Sequence, residues 1–243
     1  MGEAFLWGAV AGSSLVLGGP IALRFPISRR LLGLIMAFGA GVLISAVAFE
    51  LVHGAFETSA GDGGVAFGLL AGSLVFFGAE VVIDRLGERE RDGSGSPHAA
   101  DAGRALVLGI ILDGIPESLV LGLTVLQAGT VSAAFLVAVF LSNLPEAIAA
   151  TTALARAGRD TTRIMRFWVL VALGFGVTAL AGYVILDSAS PRTVAIVLAF
   201  AGGAVLTMLA NTMMPEALHH GGRLAGLFTT VGFALAFAIS ALQ

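Results

Sequence analysis

Two short strings carry the chain's most distinctive chemistry: Asp113-Gly114-Ile115-Pro116-Glu117 and Ser142-Asn143-Leu144-Pro145-Glu146. Each sets a carboxylate directly after a proline, inside an apolar stretch long enough to cross a bilayer as a helix. An ionisable side chain at that depth costs roughly 2.5–3.5 kcal/mol on insertion scales, so it is a functional-site hypothesis by default. On a helix, residues i and i+4 share a face, which sets Asp113 beside Glu117. Asn143 and Glu146, at i and i+3, share a face of the following helix. Each proline removes a backbone donor and frees carbonyls upstream, so both helices are expected to open there. Gly114 permits close approach or unwinding. Three carboxylates, an amide oxygen and the Ser142 hydroxyl form an oxygen-rich cluster that suits a divalent cation. The competing reading is that these groups bond one another or freed backbone and only fix helix packing. One Pro-Glu string would favour that reading; two on adjacent helices favour a site.

The elements that hold these strings follow from composition. The 243 residues are 57% hydrophobic and 12% charged, with a mean hydropathy of +0.97. A soluble globule cannot hide that much apolar surface, so the chain reads as a polytopic protein of the cell membrane. The 33 glycines fit close packing of helices in lipid. The absence of cysteine removes disulfides and thiolate metal sites. A net charge of −3 gives no nucleic-acid signal. Glu3 and the lack of a basic leader make Ala4 onward a first span rather than a cleaved signal peptide. With about 20 apolar residues per span, eight can be drawn, roughly 4–23, 30–56, 65–84, 104–126, 129–156, 164–186, 193–218 and 222–242. They form a single transmembrane domain, 1–243. Its longest connection, about 85–103, is charged and then rich in Gly and Ser, which predicts a mobile cytoplasmic loop. Of the 13 basic residues, all arginine, only Arg192 does not flank an odd-numbered loop. Odd loops are therefore expected in the cytoplasm and both termini outside.

An internal resemblance adds a topology. Ala37-Phe38-Gly39-Ala40-Gly41 in span 2 resembles Ala199-Phe200-Ala201-Gly202-Gly203 in span 7. Downstream, Glu50-Leu51-Val52-His53 resembles Glu216-Ala217-Leu218-His219. The arginine pattern makes these spans run in opposite directions, as in the inverted repeats of secondary transporters. The expected fold is an all-α, eight-span bundle in a 3+2+3 inverted-repeat arrangement. Chance likeness between Ala/Gly-rich segments is the alternative. Glu and His at i and i+3 can share a metal face, and a membrane interface also tolerates both residue types. Glu80 and Asp84, with Arg85 beside them, read as a solvated helix end, and His98 as a solvated loop residue. Met213 and Met214 read as packing residues. Small-residue runs such as Gly72-Ser73 could pack within one chain or between the copies of a homodimer.

Taken together, these features resemble the ZIP (Zrt-, Irt-like protein) family of divalent metal transporters over essentially the whole chain. The family's helix 4 typically reads His-Asn-x-Pro-Glu-Gly. Glu117 matches the glutamate, Asp113 stands where a ligand His is usual, and Gly114 replaces the Asn. Asn143 and Glu146 match the family's helix 5, and Pro215 and Glu216 its helix 7 ending, with Asn211-Thr212 where His-Glu is often found. The resemblance implies transport of a divalent transition metal into the cytoplasm rather than catalysis. Asp113, Glu117, Asn143 and Glu146 would hold the ion, Glu50 and His53 would guide entry, and Glu216 and His219 exit. No cofactor is implied beyond the transported ion; the partners expected are that ion, the bilayer and, in a homodimer, a second copy of the chain. Zinc is implied first, while a carboxylate in place of the usual imidazole leaves Mn²⁺, Fe²⁺ or Cd²⁺ open. Many members form a second adjacent metal site with a helix 6 carboxylate, and no acidic residue lies between Arg166 and Asp187 here. Two other readings remain. An intramembrane metallohydrolase would use His53, His219 and His220 with Asp113, without the zincin His-Glu-x-x-His string. A proton-coupled carrier of an organic solute would use the same carboxylates as a relay.

Overall fold

Four helix starts obey one local rule. Ser28, Ser132, Asp160 and Ser190 sit in extended backbone just before a helix. Each accepts a hydrogen bond from the amide three residues on, at 3.2, 3.1, 2.9 and 3.2 Å. The side chain thereby satisfies an amide that the first helical turn leaves without a partner. Gly129, Gly158 and Gly222 take left-handed backbone where helices end, a conformation that only glycine adopts freely.

The computed structural model describes residues 1–59, 63–94 and 99–241, with side chains described except at 84, 86–94, 99–106 and 128. It is 90% helical and has no strand among the described residues. Eight helices succeed one another: α1 (Gly2–Arg24), α2 (Arg29–Thr58), α3 (Gly64–Ser94), α4 (Ala99–Ala128), α5 (Ala133–Arg156), α6 (Thr161–Leu186), α7 (Pro191–Gly221) and α8 (Leu224–Ser240). All but α8 are long and apolar enough to cross a membrane. At 17 residues, α8 reaches about 25 Å, the lower end of a spanning length. The described helices thus follow the spans expected from hydropathy. One boundary differs. Helix continues to Ser94 and resumes at Ala99, over most of the stretch expected to be a loop. The Arg and Glu residues from 85 to 91 are good helix formers and can prolong α3 into water. Residues 95–98, His98 among them, lie outside the described residues.

The outer surface suits hydrocarbon. In α3, Phe67, Leu70 and Leu74 are 66–69% exposed, and only 17% of its most apolar window is buried, against 67% in α2. Contiguous apolar exposure of this extent is what a lipid surrounding accommodates and water does not. The architecture is compatible with a polytopic membrane protein.

Inside the bundle, α4 and α5 pack on each other. Helices α1 and α6 lie against both, α2 against α5, and α7 against α4; α8 packs on α2, and α3 on α7. The two outer pairs close by the same device. A Cβ at Gly41 would overlap the carbonyl oxygen of Thr229, and one at Gly232 the carbonyl oxygen of Phe38. Likewise a Cβ at Gly203 would overlap the Leu69 carbonyl, and one at Gly72 the Phe200 carbonyl. Glycine brings the backbones into direct contact, which is how helices gain packing energy in lipid. Beside Gly72, the Ser73 hydroxyl accepts a 2.8 Å bond from Thr207, so this small-residue run packs within the chain.

Helix distortion falls elsewhere than expected. The helical pattern continues through Pro116 and Pro145. Instead α2 and α7 each contain a π-helical turn, Val47–Val52 and Leu209–Met213. In α7 the Met214 amide reaches back five residues to Leu209, just ahead of Pro215, which has no amide to offer Asn211. In α2 the His53 amide likewise reaches Ala48, with no proline nearby. Such turns insert a residue and re-aim the side chains around them, and they are frequent at functional sites.

Candidate functional site

The two Pro-Glu strings meet. Glu117, only 1% exposed, accepts a 3.0 Å hydrogen bond from Asn143 Nδ2 and a 3.3 Å bond from Ser142 Oγ. Both donors also reach the carbonyl of Val139, at 2.8 and 2.9 Å. This carbonyl lies one turn before the string, so Asn143 and Ser142 are held against their own helix while pointing at α4. Asp113, 6% exposed, lies one turn before Glu117. Glu146 is within electrostatic reach of Asp113, Glu117 and Glu216, and Asp113 is within reach of Glu80. None of the three central carboxylates pairs with an Arg or His among the described residues.

Several oxygens here are buried without a hydrogen-bond partner: Glu146 Oε2, Asn143 Oδ1 and Ser118 Oγ in the centre, Ser45 Oγ and both carboxylate oxygens of Glu50 in α2. Buried polar atoms are almost always satisfied, so a group of orphaned acceptors asks for a ligand, a proton or water. Among the described residues no three His, Asp or Glu side chains converge closely enough to chelate an ion.

Gly114 has a steric reason. A Cβ there would overlap the ring of Phe175 in α6, itself 3% exposed and packed with Leu15, Ile110 and Trp168. The close approach anticipated at Gly114 is therefore to an aromatic ring. Trp168 is fixed in turn by a 2.8 Å bond from Nε1 to Thr151 of α5.

The flanking Glu and His residues lie at the ends of α2 and α7. Glu50 is half-buried in the π-turn of α2, and Ser132, at the start of α5, approaches it without reaching hydrogen-bond geometry. His53 is exposed and faces Glu57 at 3.8 Å, not Glu50. At the other end His220, not His219, faces Glu216, at 3.9 Å, while the rings of His219 and His220 stack edge to face at 4.8 Å. The histidines thus lie along the ends of α2 and α7 beside carboxylates of their own helices.

Glu80 is the residue that sequence reasoning missed. Read as part of a solvated helix end, it accepts a 2.7 Å bond from Asn211 Nδ2 and a 3.0 Å bond from Thr212 Oγ1. The π-turn of α7 carries both donors. The only sequence signal was the placement of Asn211-Thr212 just before Pro215-Glu216. Near Glu216 lies a cavity of about 700 Å³ between the α1–α2 connection, α5 and α7, and its wall includes Pro145, Glu216 and His220. Arg24, Arg29 and Arg156 also line it, so the cavity lies at the arginine-rich end of the bundle.

Compared with models of known protein families and with curated proteins, the chain finds no match in either.

Proposed function

We propose that this chain carries divalent transition-metal cations across a membrane, binding them between α4 and α5. The observation that carries the reading is a group of three carboxylates, Asp113 and Glu117 buried and Glu146 half-buried, with no cationic side chain paired to them among the described residues and with orphaned oxygens at Glu146 and Asn143. Uncompensated charge of this kind in a low-dielectric interior requires a cation or protons. An oxygen-only donor set suits a hard or borderline dication, zinc first on the ZIP resemblance, with Mn²⁺, Fe²⁺ or Cd²⁺ also served. The ion is cargo, not a resident cofactor. Glu50 and His53 would receive it at one end of α2. Glu80, Glu216 and His219 would pass it toward the arginine-rich end of the bundle, which the charge bias assigns to the cytoplasm. The termini would then lie outside.

The 3+2+3 inverted repeat belongs to this reading. Support comes from paired features: α2 with α8 and α3 with α7 pack by matching glycines, and π-turns occur in α2 and α7 alone among the described helices. Phe38 and Gly41 in one pair stand where Phe200 and Gly203 stand in the other. A central α4–α5 pair between two such arms allows rocking of one arm against the other, the usual basis of alternating access.

Proteoliposome uptake tests the function. Zn²⁺ and Mn²⁺ should accumulate in vesicles that hold the native chain. Glu117→Ala and Glu146→Ala should each abolish accumulation while eluting as folded protein in detergent. Native-like uptake by either variant removes the central claim. The buried, unpartnered Oε2 of Glu146, which a proton would satisfy, favours one second reading, a proton relay serving an organic solute. Proton flux without any metal uptake would select it.

A further inference from the structure

A separate concentration of unpaired charge lies at the arginine-rich end of the bundle. The cavity there is lined by Arg24 in the last turn of α1, Arg29 in the first turn of α2 and Arg156 in the last turn of α5. Among the described residues none of these guanidiniums is paired with a carboxylate. The one carboxylate on the wall, Glu216, already faces His220. Three guanidiniums against one carboxylate leave the wall at a net charge of +2 with His220 neutral. Charge bias between membrane faces accounts for arginines at this end. It does not gather three of them around one concavity, and Arg30, Arg159 and Arg163 meet the same bias without lining it. Nor does helix electrostatics explain Arg29, which stands at the positive end of α2, where a cation is disfavoured.

Like charges held around a concave space repel one another, and an anion relieves that repulsion. Planar guanidinium forks match the paired oxygens of phosphate in geometry as well as charge. The deeper wall is apolar, with Leu32, Met36 and Ile148. We infer that this cavity binds an oxyanion of the phosphate class between Arg24, Arg29 and Arg156. Two sources share the chemistry: the headgroup of an anionic phospholipid, whose acyl chains the apolar wall would flank, and a free phosphate or phosphate ester. The inference stands on the cavity and its guanidiniums and does not depend on what the central carboxylates carry.

The test is titration of the purified full-length protein in neutral detergent. The probes are inorganic phosphate, short-chain phosphatidylglycerol and short-chain phosphatidylcholine, read by calorimetry and thermal unfolding. Phosphate or phosphatidylglycerol should bind and raise Tm, and phosphatidylcholine should not. The double variant Arg24→Gln/Arg156→Gln should weaken that binding about tenfold per guanidinium removed. Arg159→Gln/Arg163→Gln should leave it unchanged. The single variants Arg24→Gln and Arg156→Gln carry the same readout if the pair together fails to fold. Binding of phosphate and phosphatidylglycerol alike identifies a free anion as a competent ligand, and binding of phosphatidylglycerol alone identifies the headgroup; both uphold the site. Binding of neither, or equal loss in both double variants, overturns it.

Discussion

The contact between Gly114 and Phe175 gives a prediction at the heart of the site. Gly114→Ala adds a methyl where the Cζ and Cε1 atoms of the ring already lie. The ring is 3% exposed and hemmed in by Leu15, Ile110 and Trp168, so it has no open side to turn into. Overpacking of this sort costs about 1–3 kcal/mol. Replacing a helical glycine by alanine returns about 0.8–1 kcal/mol through propensity. The single variant should therefore be destabilised by a net of about 0–2 kcal/mol. Phe175→Leu removes the atoms that clash, since leucine ends before the positions of Cε1 and Cζ. In that background Gly114→Ala should become stabilising by about 1 kcal/mol. The difference between the two backgrounds is a coupling energy of about 1–3 kcal/mol. For a chain of this size that corresponds to about 2–12 °C in Tm, measurable by circular dichroism in detergent across the four proteins of the cycle. An equal Tm shift in both backgrounds would mean that the ring does not sit on Gly114, and the steric account of that glycine would fall.

Three further outcomes are expected. Asp113→His should shift competition in uptake toward Zn²⁺ over Mn²⁺, because imidazole is a better ligand for zinc than for manganese; an unchanged ratio of the two ions shows that residue 113 does not touch the cargo. On α3, Gly72→Ala should destabilise by about 1–3 kcal/mol because its Cβ meets the Phe200 carbonyl, whereas Gly78→Ala faces open space and should gain up to about 1 kcal/mol; equal thermal shifts would refute the close α3–α7 contact. With no native cysteine, Ser94→Cys should resist membrane-impermeant thiol reagents in intact cells and Gly61→Cys should react, and the reverse pattern would invert the assignment of entry and exit ends.

Sequence alone determined the features that are local. Hydropathy placed the helices, because a run of apolar residues long enough to span needs no partner to declare itself. The caps at Ser28, Ser132, Asp160 and Ser190, seen in the structure, are local in the same way, each bond closing within three residues. The Pro-Glu strings of α4 and α5 were legible because a carboxylate inside an apolar run is costly wherever it points. Tertiary structure decided what faces what. Glu80 read as part of a solvated helix end, and only the packing of α3 on α7 shows that it meets Asn211 and Thr212 there. Which carboxylate each histidine faces was likewise open in the sequence: His53 meets Glu57 and His220 meets Glu216, each at i and i+4. The π-turn of α2 has no proline to announce it, and the gathering of Arg24, Arg29 and Arg156 around one cavity joins residues from three helices. The reason is common to all of these. A helix that is apolar all round has little amphipathic contrast to fix its rotation, so its orientation is set by the close fit of glycines and side chains on its neighbours, which no single segment encodes.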